Sequence, residues 1–171
     1  MHRVRFIAWL GLALVLAGTA AAQGWTSVSP EGGRCKVDMP GTPTVETVPL
    51  NAPGQALTQT EAKVQTGGAT FFMSWVDYPD RIALSASSDT MLDKVRDGMA
   101  AGNTLRGEKK LTLGRAQGRE FTLAQANGTT TAVRLYWARN RLYQLGVTGR
   151  AGVENQPETR HFFESFSLVR S

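Results

Sequence analysis

The sequence predicts an α+β domain built on an antiparallel β-sheet with helices on both faces. Three observations carry that prediction. Gly67-Gly68 and Asn127-Gly128 each sit between runs of strand-like composition, which marks two antiparallel hairpins. The run from Phe71 to Tyr78 is apolar at both parities, so a strand there needs cover on two sides. Two helical segments, one from about Asp89 to Ala101 and one from Pro157 onward, are the expected cover.

The chain opens with Met1-His2-Arg3-Val4-Arg5, an apolar run from Phe6 to Ala17, and the small residues Ala20-Ala21-Ala22. A basic head, a short apolar core and a small-residue end form the layout of a secretory signal peptide. Cleavage is expected after Ala22, leaving a single domain over residues 23–171; the competing reading is an uncleaved anchor helix, for which the apolar core is short. The expected product is periplasmic or secreted, with no membrane span after signal cleavage. Loss of the leader removes Arg3 and Arg5, so the net charge of +5 falls by two. So small an excess does not indicate a nucleic-acid partner.

Trp25 to Val28 reads as an opening strand, followed by the turn residues Pro30 to Gly33. Arg34 to Met39 alternates polar and apolar residues, as a half-buried strand does, and Pro40-Gly41-Thr42-Pro43 ends it. Cys35, the one cysteine, shares parity with Val37 and Met39. Its expected state is a buried structural thiol, against a reactive or intermolecular one, and no internal disulfide can form. Thr44 to Leu50 is a second strand, stopped by Asn51-Ala52-Pro53-Gly54.

A two-residue turn at Gly67-Gly68 sets Val64 opposite Phe71, Ala62 opposite Met73 and Thr60 opposite Trp75. In the helix that follows, Met91, Leu92, Val95 and Met99 share a stripe, with Ser87, Ser88 or Asp89 to cap its start and Gly102-Asn103 to end it. Leu105 to Leu113 is the next strand. Glu120 to Val147 then reads as three strands. A two-residue loop at Asn127-Gly128 places Phe121 opposite Arg134 and Leu123 opposite Ala132, with Tyr136 on the same side. At Arg139-Asn140-Arg141 a three-residue loop is favoured over a two-residue one, because it gathers Val133, Leu135, Trp137, Tyr143, Leu145 and Val147 on one face. Pro157 suits the first position of a closing helix, whose apolar side is Phe162, Phe163 and Phe166.

No motif here names a reaction. His161 is the one histidine left after cleavage, flanked by Phe162 and Phe163, so Ser-His-Asp, Cys-His and His/Cys zinc chemistry lack their residues. Gly114-Arg115-Ala116-Gln117-Gly118 is turn-like and opens no helix, so it is not a phosphate loop. Asp77-Tyr78-Pro79-Asp80 reads as the end of a strand. No catalytic residue, metal or cofactor is therefore expected.

Two basic features remain. Arg106, Lys109, Lys110, Arg115 and Arg119 crowd one strand and its turn, as a solvated face or as a patch for an acidic partner. Arg134, placed by the expected register beside Phe121 and Tyr136, needs an ion pair, a ring or water; its functional reading is an anion anchor in an aromatic pocket.

Cys35-Lys36-Val37-Asp38-Met39-Pro40-Gly41-Thr42-Pro43 resembles the opening strand and Pro-Gly-x-Pro turn of exported bacterial proteins similar to the PsbP type. Arg141 to Leu145 and Phe162 to Leu168 resemble the late strand and closing helix of those chains. The resemblance implies an α/β/α sandwich, the fold shared by PsbP photosystem subunits and Mog-type Ran-binding proteins, and an accessory or partner-binding role without a common active site. Metal binding does not carry over, since no ligand histidines match. The first function expected is thus a non-catalytic binding or accessory protein of the bacterial envelope, with a protein or envelope component as partner. A periplasmic carrier of a small anionic or amphipathic ligand is the alternative, and an enzyme of unknown type the third.

Overall fold

The computed structural model describes residues 24–52 and 55–169; the expected signal peptide and its cleavage point lie outside the described residues. Among these residues ten strands and three α-helices follow in order, with a 3-10 turn at Val153–Asn155 before the last helix. They are β1 (Thr26–Val28), β2 (Cys35–Met39), β3 (Thr44–Ala52), β4 (Gln55–Thr66), β5 (Ala69–Asp77), α1 (Asp80–Ala83), α2 (Ser88–Ala100), β6 (Thr104–Leu113), β7 (Ala116–Ala124), β8 (Thr129–Ala138), β9 (Arg141–Arg150), α3 (Pro157–Ser165) and β10 (Ser167–Leu168). Seven strands form one sheet in the order β3-β4-β5-β9-β8-β7-β6, and β1-β2-β10 form a second, smaller one. All pairings are antiparallel.

The expected α/β/α sandwich with helices on both faces is not what forms. The described residues are 54% strand and 21% helix, organised as two antiparallel sheets. A central strand that is apolar at both parities does need cover on two sides, but a helix is only one kind of cover. On one face of the large sheet, Phe71, Met73, Tyr143, Leu145 and Val147 pack against Cys35, Val37 and Met39 of β2, with Phe162, Phe163 and Phe166 closing the layer. The alternation in β2 is what makes a second sheet work there, since its inward residues are fully buried and its outward Lys36 is exposed. On the other face Met91 and Leu92 of α2 meet Phe121, Leu123, Val133, Leu135 and Trp137.

Local chemistry explains several boundaries. Ser87 caps α2, its Oγ accepting from the Thr90 amide at 3.1 Å. Pro157 occupies the start of α3, where its missing donor costs nothing. Pro49 is tolerated within β3 because β3 is an edge strand of the large sheet. The Gly67-Gly68 hairpin has the expected register, Val64 opposite Phe71 and Ala62 opposite Met73. Both glycines have positive φ, 58° and 77°.

The two later turns differ from expectation, each by one residue. In the first, β7 and β8 set Phe121 opposite Val133 and Glu120 opposite Arg134. The Gln125 amide donates to the Thr129 carbonyl at 2.8 Å, so the loop is the three residues Ala126-Asn127-Gly128. Gly128 takes the left-handed position (φ 81°) that such loops use, and the Asn127 side chain accepts from the Thr129 amide at 2.9 Å. In the second, Ala138 pairs with Arg141, so Arg139-Asn140 is a two-residue turn with φ of 59° at Arg139. Val133, Leu135 and Trp137 therefore face α2, while Tyr143, Leu145 and Val147 face the small sheet. The preference for one segregated apolar face fails because both faces of this sheet are buried.

Candidate functional site

The expected basic patch is dispersed by the fold. Lys110 and Arg119 pair across β6 and β7 on the face toward α2, and Lys109 pairs with Glu120 on the opposite face. Arg119, only 2% exposed, donates to Asp89 at 2.9 Å and to Asp93 at 3.0 Å. Lys110 reaches Asp89 at 2.9 Å, and Arg96 of α2 reaches Glu108 of β6 at 2.5 Å. These charges tie α2 to the sheet. Hydrogen bonds from Lys110 and Arg119 hold the Asp89 carboxyl below the usual carboxylate range. Lys109 is bound to Glu120 at 2.6 Å, and Arg106 lies beyond a break in the β6–β7 register.

Arg134 is an internal residue of the same kind. The shifted register puts Phe121 on the far face from it and Glu120 directly across, so the expected pocket of Arg134, Tyr136 and Phe121 does not assemble. Its Nε donates to Glu120, its Nη1 donates to the Phe163 carbonyl at 3.2 Å, and the guanidinium lies 4.9 Å from the Phe163 ring centre. Tyr136 stacks on Phe166 with ring centres 5.6 Å apart. Burial pushes the Glu120 carboxyl up, but Lys109 and Arg134 outweigh it and hold the group below its ordinary value.

A second buried arginine was not singled out by the sequence. Arg141 binds Asp77 bidentately at 2.6 and 2.5 Å and donates through Nη1 to the carbonyls of Gly32 (2.6 Å) and Gly33 (3.0 Å). The Tyr143 hydroxyl also donates to Gly33, at 2.9 Å. The guanidinium lies near the rings of Trp75 and Tyr143. This knot pins the β1–β2 loop to the large sheet. Cys35 sits beside it, 1% exposed, its thiol pushed up to about 12 by burial against a smaller lowering by Arg141. A thiol so placed is protonated at neutral pH and is a poor nucleophile.

Above the knot is an open groove of about 950 Å³ at the seam between the two sheets. Arg141 and Tyr143 lie at its base. Three more arginines reach it from three separate turns: Arg34 just before β2, Arg115 between β6 and β7, and Arg139 between β8 and β9. All three are exposed, and among the described residues none makes an ion pair. Arg34 and Arg139 have φ of 50° and 59°, the only positive values at non-glycine positions among the described residues. Backbone strain of that kind gathers at ligand clamps. Leu113, Ala138, Leu168 and Val169 supply an apolar wall. A nearby acid, Asp80, accepts from the Asn140 amide at 3.2 Å.

Of these arginines only Arg115 belongs to the basic strand patch that the sequence predicts. Arg34 and Arg139 carried one available signal, a charged residue where a turn demands unusual backbone. His161 sits 3.3 Å from Asp38 and packs edge-on against Trp25, half exposed. Among the described residues no group of three or more His, Cys, Asp or Glu side chains is placed to hold a metal ion. No helix among them is long and apolar enough to cross a membrane. A second concavity of about 910 Å³ lies by the Gly67-Gly68 turn, where Trp25, Arg150 and Glu158 mix apolar and opposite charges.

No family model matches the sequence, and no curated protein matches it. A solved structure of a protein of unknown function from Pseudomonas aeruginosa is similar over 80% of this chain and 90% of its own, at 8% identity and a TM-score of 0.38. A likeness of that size carries no inference about fold or function. These findings neither support nor oppose the resemblance to PsbP and Mog-type proteins.

Proposed function

We propose that this protein is a non-catalytic binding protein of the bacterial envelope that holds an anionic ligand in the groove of Arg34, Arg115 and Arg139. The observation that carries the reading is charge without a partner. Among the described residues the buried and half-buried Arg96, Arg119, Arg134 and Arg141 are matched to carboxylates, and the exposed Arg81, Arg106, Arg150 and Arg160 make no ion pair but line no concavity with the groove's three. Arg34, Arg115 and Arg139 line one groove, and among the described residues none of the three makes an ion pair. Concentrating like charge costs free energy that a bound anion offsets, and the planar forked guanidinium suits phosphate and carboxylate oxygens. The export half of the proposal is supported by the basic head, apolar run and small-residue end of residues 1–22.

Native mass spectrometry of the protein recovered from its own host tests the reading. The expected result is a discrete added mass that is lost in the Arg115→Ala/Arg139→Gly variant. Protein that carries no adduct and gains no thermal stability from any anion would contradict it.

A second reading has its own support. β3 is an edge strand whose Val45 and Val48, on opposite faces, are 52% and 44% exposed, an edge suited to pairing with a partner's strand. A β3 variant with Val45→Lys and Val48→Lys that kept every recoverable partner would remove that support.

A further inference from the structure

The groove's walls say more than its charge. Each arginine is exposed and stands on or beside a turn, and the same groove is lined by the apolar side chains of Leu113, Leu168 and Val169. Leu168 and Val169 are held there by backbone pairing: Leu168 lies opposite Cys35, and the Val169 amide donates to the Arg34 carbonyl at 3.0 Å. The apolar wall and one of the arginines thus belong to the same edge of the small sheet. Val169 is 53% exposed although its amide is bonded to Arg34, so the wall presents apolar surface to water. A purely hydrophilic anion would leave this wall uncovered. Three unmatched guanidiniums also exceed what a single carboxylate can neutralise, whereas a phosphomonoester offers nearly two charges and three strong acceptor oxygens.

We infer that the groove binds a single amphipathic molecule with a phosphomonoester head, the head among Arg34, Arg115 and Arg139 and the apolar body along Leu113, Leu168 and Val169. This rests on the reading of the groove as an anion site and adds the chemical class of the ligand. The volume of about 950 Å³ fits one small molecule, near the top of the roughly 300–1,000 Å³ range of ligand pockets. The knot of Arg141, Asp77 and Tyr143 gives the site a fixed floor, because its donors are already committed to Asp77, Gly32 and Gly33. Binding therefore needs only the three exposed side chains to settle on the head.

Calorimetric titration of the full chain, below the micellar concentration of each probe, tests this with four ligands: decyl phosphate, decanoate, decyltrimethylammonium and inorganic phosphate. Each methylene covered by the wall is worth roughly threefold to fourfold in affinity, so decyl phosphate is expected to bind at least about 50-fold more tightly than inorganic phosphate. It is expected to exceed decanoate by about tenfold, and decyltrimethylammonium is expected not to bind. Arg115→Ala/Arg139→Gly, with a circular dichroism spectrum like that of the parent, is expected to weaken decyl phosphate at least tenfold.

Equal affinity for decyl phosphate and inorganic phosphate would overturn the amphipathic class while leaving the anion site intact. Decanoate binding as tightly as decyl phosphate would overturn the phosphate head. Binding of the cationic probe as strong as that of decyl phosphate, or no binding by any anion, would overturn both the inference and the anion site beneath it.

Discussion

The Arg141 knot makes an unequal prediction about its two charged partners. The Arg141 side chain is 6% exposed and that of Asp77 is 55% exposed. Removing the carboxylate with Asp77→Ala strands a buried guanidinium, a loss of about 3–5 kcal/mol for buried pairs. The two glycine carbonyls still accept from Arg141, so the lower end, about 3 kcal/mol, is expected. Removing the cation with Arg141→Met leaves Asp77 free to rehydrate, Gly33 still bound by Tyr143, and Gly32 exposed to water. Its cost is the net worth of the lost charged hydrogen bonds, discounted for exposure, about 1–2 kcal/mol. The double variant Asp77→Ala/Arg141→Met should therefore be more stable than Asp77→Ala alone, by about 1–2 kcal/mol. Urea unfolding at pH 7, followed by far-ultraviolet circular dichroism, measures all three. If Arg141→Met proved the costliest of the set, the knot would act by anchoring the loop carbonyls and the charge argument would be refuted.

Three further outcomes follow from the same geometry. Gly118→Ala brings a methyl to 2.5 Å of the Leu135 carbonyl oxygen and 2.7 Å of the Tyr136 ring, and the backbone cannot yield, so a loss of about 3 kcal/mol or more is expected from urea midpoints; parental stability would mean that the strands are further apart than described. Cys35 should resist a thiol reagent in native buffer and react fully in urea, and rapid native labelling would contradict its burial. Asp89 and Glu120 are both depressed in the folded state, so their contribution is complete above the ordinary carboxylate range and is lost as pH falls through the lowered folded values. Urea midpoints should accordingly be level near neutrality and decline below about pH 4, and less steeply in Glu120→Gln; a midpoint that rose on acidification would contradict the pairing.

What the sequence made legible was local. Gly67-Gly68 set its hairpin register correctly, because two glycines at positive φ leave little choice of loop. The stripe of Met91 and Leu92 and the Pro157 start placed α2 and α3 for similarly local reasons. At Asn127-Gly128 the same dipeptide serves both two-residue and three-residue loops, and the difference is one hydrogen bond from Gln125 to Thr129. That single residue moved Phe121 to the far face and gave Arg134 to Glu120. The error at Arg139-Asn140 came from a global assumption, that one face alone is buried. The identity of the cover was also illegible, since nothing in the five residues of β2 tells whether they pair beside the large sheet or lie across it. The groove is illegible in the sequence because its three arginines come from turns far apart along the chain, brought together by the seam between the sheets.

The central claim is that the groove, and not the neighbourhood of Arg134, is the anion site. The most direct test follows the arginine Nε–H resonances of the 15N-labelled protein during titration with decyl phosphate. The account predicts saturable shifts confined to Arg34, Arg115 and Arg139, with Arg119 and Arg134 unmoved. Shifts centred on Arg134, or no arginine shift at saturating ligand, would contradict it.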